Sequence, residues 1–222
     1  MRPFEEDFKS LNDTLLSMGS LVAHSVQRSV LSLVEKNEDY AHQVIRDESR
    51  VDQIEIKVDD MVTSLIVREQ PVARDMRLVV AAIKIATDLE RMGDLAVHIA
   101  ERALSLMVQP PLPESINFAD LANLVESMVL GSLDSFIKRD PQTARGILAA
   151  DDAVDKSRND IQHRLIELMQ RDPATVTRAL EYIIVARKLE RIGDHATNIA
   201  EDVIFLAQGI DVRHRVAEVA QV

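Results

Sequence analysis

The chain has 222 residues, with 26 Lys and Arg against 37 Asp and Glu for a net charge of −11, and no cysteine. A surplus of acid argues against binding to a nucleic-acid backbone, and two Tyr, five Phe and no Trp leave little for a base-stacking platform. The missing thiols exclude disulfides, cysteine nucleophiles and thiolate-held zinc, and they fit a reducing compartment.

The segment Met1 to Asp7 lacks the basic and apolar pattern of a secretion signal. No apolar run approaches the roughly 20 residues that a membrane span needs, so a soluble cytoplasmic protein is expected. Only six Gly and seven Pro, among abundant Ala, Leu, Val, Arg and Glu, favour helices over strands. Six helices are predicted, three in each half of the chain. The first runs from about Glu5 to Lys36, with Leu11, Leu15, Met18, Val22, Val26 and Val30 at three- and four-residue steps. The second spans about Asp39 to Val67, and the third about Val72 to Met107. Gln109-Pro110-Pro111-Leu112-Pro113 then stops any helix and forms the linker. Asn117 is the expected N-cap of the fourth helix, which reaches about Arg139. Asp140-Pro141 and Asp172-Pro173 pair a capping residue with Pro at the first helical position and mark the fifth and sixth starts. The sixth helix should end near Gly209, leaving 210–222 as a tail that frays or docks weakly.

Two halves of this chain repeat one another. Leu89-Glu90-Arg91-Met92-Gly93-Asp94 through Glu101 returns as Leu189-Glu190-Arg191-Ile192-Gly193-Asp194 through Glu201, with nine of thirteen positions identical. Upstream, Glu48-Ser49-Arg50-Val51-Asp52 aligns with Asp151-Asp152-Ala153-Val154-Asp155 at a spacing of 103 rather than 100. A three-residue deletion near Gln70-Pro71 and Asp172-Pro173 accounts for the change. The expected architecture is all-α, two tandem three-helix bundles over 1–109 and 116–208 with a tail over 209–222, the halves related by an approximate two-fold axis.

Each half carries two acidic pairs four residues apart, which places both carboxylates on one helix face because each residue advances about 100°. Glu48 and Asp52 can meet Glu90 and Asp94 if their helices pack through adjacent apolar faces. Asp151 and Asp155 can meet Glu190 and Asp194 in the same way. Converging carboxylates need protonation, a cationic side chain or a metal ion between them. Arg50, Arg91 and Arg191 sit about 100° round from the carboxylate faces and are poorly placed to neutralise them. Oxygen ligands without sulfur suit magnesium, manganese, calcium or iron. One such pair alone is usually a solvated face; two pairs in each half, at matching places, favour metal binding. His98 faces the side of Glu90 and Asp94 and is a secondary ligand candidate, although its counterpart is Asn198. The remaining histidines, including His195 and His214, are expected on the surface. Gly93 and Gly193 are read as points of close helix approach.

The Leu-Glu-Arg-(Met/Ile)-Gly-Asp core, Asn198-Ile199-Ala200-Glu201 and Gln70-Pro71-Val72-Ala73-Arg74-Asp75-Met76-Arg77 resemble the signature of the PhoU family of phosphate-signalling regulators. The resemblance covers about Phe4 to Gln208. It implies two tandem three-helix bundles, and acidic motifs that bind metal ions, iron or zinc among them, sometimes as multinuclear clusters. Carried over, the metal motif falls on Glu48, Asp52, Glu90, Asp94, Asp151, Asp155, Glu190 and Asp194. Two departures, Asp88 against Lys188 and His98 against Asn198, suggest that the two sites differ in charge, nuclearity or occupancy. The resemblance further implies a negative regulator of the phosphate-starvation response and of phosphate uptake, contacting a membrane sensor histidine kinase and the ATPase of the phosphate ABC transporter. A homodimer is expected. No enzymatic activity is expected, since no nucleophile–base constellation or Gly-rich phosphate loop is present. Two other readings are an acidic helical interaction module without metal, and a carboxylate-bridged di-metal oxidoreductase. The latter is weakened by the absence of any Glu-x-x-His.

Overall fold

The computed structural model describes residues 3–209 and 212. Among the described residues there are six α-helices and no strand: α1 (Pro3–Glu35), α2 (Glu38–Glu69), α3 (Ala73–Met107), α4 (Ala119–Lys138), α5 (Pro141–Arg171) and α6 (Val176–Gln208). No helix there is long and apolar enough to cross a membrane. The expected tail and His214 lie outside the described residues, Val212 excepted.

Local chemistry sets the helix ends. Asn37 accepts from the Asp39 N–H to start α2, and Asp140 accepts from the Gln142 N–H to start α5. Each cap follows a residue in the left-handed region, Lys36 and Arg139, both at φ 53°. Lys36-Asn37 and Arg139-Asp140 stand 103 residues apart, so the repeat persists through a turn that shares no residue identity. Asn117 accepts from the Ala119 N–H at 2.9 Å and so helps to open α4. Asp172 caps a short 3-10 turn, Pro173–Thr175, that leads into α6, so the sixth helix starts slightly later than expected. Gly209, at φ 71°, closes α6.

Helices α1, α2 and α3 pack on one another, as do α4, α5 and α6. The halves then join through α3 against α6 and α1 against α4. Lys84–Asp202, Asp88–His195 and Arg102–Glu181 contacts show that α3 and α6 run antiparallel. One continuous apolar core runs through both halves, with Leu15, Met18, Ile85 and Leu89 from the first and Met128, Leu133, Leu165 and Leu189 from the second. On the α1/α4 side Phe8 meets Phe136 edge-on, with ring centroids 6.5 Å apart. The buried hydroxyls of Ser29, Ser32, Ser132 and Ser135 each donate to a carbonyl three residues earlier, at 2.7–2.8 Å. The 103-residue spacing of these serine pairs carries the repeat into α1 and α4.

Candidate metal centres at two acidic seams

The glycines of the repeated motif lie where the acidic helices meet. Gly93 on α3 faces Val51 of α2, and a Cβ there would stand 3.4 Å from the nearest Val51 methyl. Gly193 on α6 faces Val154 of α5 with 3.5 Å to its methyl. These are ordinary contact distances, so the bare backbone lets the helices lie close without an alanine being sterically forbidden. Val51 and Val154 are themselves buried and sit between the acidic residues of their helices. The apolar contact thereby holds the two carboxylate rows alongside each other.

In the first seam, between α2 and α3, neighbouring carboxylates act on one another. Burial raises the Glu48 carboxyl above its ordinary range, and Asp94, Asp52 and Glu101 add to the rise while His98 opposes it. Burial likewise raises Glu90, with Asp94, Glu55 and Asp52 adding and Arg91 opposing. Glu55 lies further along the same row, where its Oε1 accepts from the Thr87 hydroxyl of α3 at 3.2 Å. Arg50 turns away to Asp47, at 2.8 Å.

The second seam, between α5 and α6, carries Asp151 and Asp155 on one helix and Glu190 and Asp194 on the other. The Asp151 carboxyl is pushed up to about 6, first by burial, then by Asp194, Asp155, Asp152 and Glu190. Asp194 keeps substantial solvent contact, yet partial desolvation raises it, with Glu190 and Asp155 adding and His195 and Arg191 opposing. One cation does enter this seam. Arg158 Nη2 donates to Glu190 Oε1 at 2.8 Å and reaches Asp155 Oδ1 at 3.4 Å. Sequence reasoning considered Arg50, Arg91 and Arg191 and missed Arg158. The 103-residue offset could have found it, since Arg158 falls on the position of Glu55.

All eight expected carboxylates therefore line the two helix seams, four on each. Among the described residues no three carboxylate or imidazole side chains stand gathered as a ready ligand set. Carboxylate oxygens without sulfur are the kind of donor that hard or borderline cations accept. His98 is exposed on the flank of the first seam.

His195 is not a surface residue. Its Nδ1 lies 2.9 Å from Asp88 Oδ1, with side-chain exposures of 13% and 12%, so the pair is enclosed where α3 meets α6. Asn198 Nδ2 approaches the same oxygen at 3.5 Å. Asp88 thus joins the two halves and stands apart from the acidic seams. Lys188, its repeat equivalent, is half-buried, and its ammonium is lowered by burial and by Arg191 and Arg102 against the pull of Glu101. Replacing Asp88 by alanine strands the His195 and Asn198 donors, and an unfolding cost of about 1–3 kcal/mol is expected by urea denaturation. Asp88→Asn, which keeps an acceptor, should cost less. A loss below about 0.5 kcal/mol for Asp88→Ala would reduce the pair to a surface contact.

A PhoU domain model matches the chain twice, over residues 15–103 and 118–203. The phosphate-specific transport system accessory protein PhoU homolog of Pseudomonas putida is 35% identical over 212 residues, covering 95% of this chain and 83% of that protein. The homolog from Aquifex aeolicus is 36% identical over 211 residues, covering 94% and 96%. The crystal structure of PhoU from Pseudomonas aeruginosa superposes with a TM-score of 0.88 at 34% identity, covering 93% of this chain and 100% of that one. The regulatory protein PhoU of Streptococcus pneumoniae, at 24% identity and a TM-score of 0.85 over 94% and 99% of the two chains, shares the fold.

Proposed function

The chain belongs to the PhoU family, and on that premise we propose that it is a non-enzymatic accessory regulator of phosphate transport. In this reading it acts in the cytoplasm and restrains the phosphate-starvation response. It does so by contacting a membrane sensor histidine kinase and the ATPase of the phosphate ABC transporter. The carrying observation is the double family match across nearly the whole chain, since relatives of comparable length bear the name of transport-system accessory proteins. Deleting the gene should raise phosphate-starvation gene expression in phosphate-replete cells. Unchanged reporter expression, with importer and kinase intact, would count against the regulatory role.

The metal part of the proposal rests on the seams. Glu48, Asp52, Glu90 and Asp94 would hold an ion in the first, and Asp151, Asp155, Glu190 and Asp194 in the second. Magnesium, manganese, iron and zinc all accept carboxylate oxygens. A bound ion would supply the positive charge that ties α2 to α3 and α5 to α6. The residues' own contribution is placement: helical spacing fixes their origins, and rotation about side-chain bonds would bring the oxygens inward. The exposure of Asp52, Asp155 and Asp194 favours a second reading, in which these faces meet basic partners directly. Metal content of the purified protein separates the two.

A further inference from the structure

We propose that the chain beyond Val212 lies back on the body of the protein and seats its valines in an apolar groove between the start of α3 and the end of α6. The groove has a volume of about 130 Å³ and is walled by Met76, Val80 and Ala81 of α3 and by Phe205 and Leu206 of α6. Val80 and Phe205 are 45% and 36% exposed, so an apolar strip stands open at the junction of the two halves. Lys84 and Asp202 bound its far end as an ion pair at 3.0 Å.

The occupant follows from where the chain goes after α6. Gly209 ends that helix in a left-handed turn one helical turn beyond Phe205, whose carbonyl accepts from the Gly209 N–H at 2.8 Å. Three residues later Val212 is 3% exposed and belongs to the apolar core, so the chain has turned back onto the body of the protein. Val216 and Val219 follow Val212 at four- and three-residue steps, the spacing of side chains that anchor a segment in a groove between helices. The first half of the repeat shows how a segment behaves after the equivalent helix. The chain leaving α3 lies against the start of α6, where Arg178 donates to the Pro110 and Pro111 carbonyls at 2.8 and 2.7 Å. Its Leu112 and Ile116 pack on the core, and the 100-residue offset sets Val212 on Leu112 and Val216 on Ile116. A tether that begins one turn from the groove also holds residues 213–222 at high effective concentration, so they outcompete a separate chain of equal affinity. Seated there, they bridge α3 of the first half and α6 of the second and add apolar burial to the junction.

The chain has no cysteine, so a single one introduced at Val80 reports whether the groove is covered. In the full chain, the reaction of Val80→Cys with a maleimide should become about tenfold faster when Val216→Asp/Val219→Asp is added. That is the change expected when the open groove is about a tenth of the population before the substitution. Leu180 stands at the equivalent position of the repeat with a similar exposure of 48%, and Leu180→Cys should react at the same rate with and without the tail substitutions. Val216→Ala/Val219→Ala is the milder variant and should shift Val80→Cys in the same direction, with circular dichroism checking the helical content of each protein. A Val80→Cys rate unmoved by both sets of tail substitutions would overturn the proposal. Protection of Val80→Cys that grows with protein concentration would assign the groove to a second copy of the chain and overturn it equally.

Discussion

Replacing Asp94 and Asp194 together by alanine is expected to abolish metal uptake while leaving the helical content unchanged. Asp94 acts on both Glu48 and Glu90, and Asp194 is the leading charge acting on Asp151. Removing them takes away a ligand and relieves repulsion in the same step, so the variant should unfold at higher denaturant than metal-free wild type. The gain should be about 1 kcal/mol, after discounting for the water that reaches these groups. The pH dependence follows from the direction of the shifts. A carboxyl raised in the folded state binds its proton more tightly there than in the unfolded chain. Its contribution is fully present below the unfolded carboxylate range, about pH 4, and is lost as pH rises through the folded value, about 6 for Asp151. Metal-free wild type should therefore lose stability between pH 5 and 7, by about 1 kcal/mol from Asp151, and the double variant should lose less. Metal binding runs the other way, weakening as the same carboxylates protonate. Equal metal in wild type and variant after identical loading with iron, zinc, manganese or magnesium would refute the ligand assignment.

The helices and their duplication were legible because they are written in local and repeating terms. Asp140-Pro141 and Gly209 punctuate the chain through backbone chemistry that needs no tertiary context, and the structure uses both as expected. The four-residue acidic spacing also carried through, since helical geometry alone puts Glu90 and Asp94 on one face. The apolar contacts of Val51 with Gly93 and of Val154 with Gly193 then decide which face meets which.

Relations between helices were harder to read. Asp88 and Lys188 were a visible departure from the repeat, and proximity in sequence to Glu90 and Glu190 tied them to the acidic sites. Two residues along a helix is about 200° of rotation, so Asp88 looks instead toward α6 and His195. The histidine has no paired spacing in the sequence because its partner is 107 positions away. Arg158 is not adjacent in sequence to the acids it pairs with: it lies one turn beyond Asp155 on α5 and crosses to Glu190 of α6.

The largest stability effects are expected where the two halves meet through α1 and α4. Leu133 is 1% exposed, and a Cβ added to Gly19 would overlap its Cδ1. Leu133→Ala should destabilise by about 2–5 kcal/mol, through lost apolar burial and the cavity left behind. Gly19→Ala should cost about 1–3 kcal/mol, because the buried leucine must leave its rotamer to admit the methyl group. Helix propensity alone would make that second substitution favourable by about 1 kcal/mol, so its sign discriminates between a free helix surface and a packed interface. In the combined variant the new methyl enters space that the leucine has vacated. Its cost should fall below the sum of the two single losses by at least about 1 kcal/mol in urea-unfolding measurements. Additive losses would mean that Gly19 and Leu133 do not touch and that the halves meet differently. A coupling of the expected sign would establish that α1 of the first repeat and α4 of the second share one packed core.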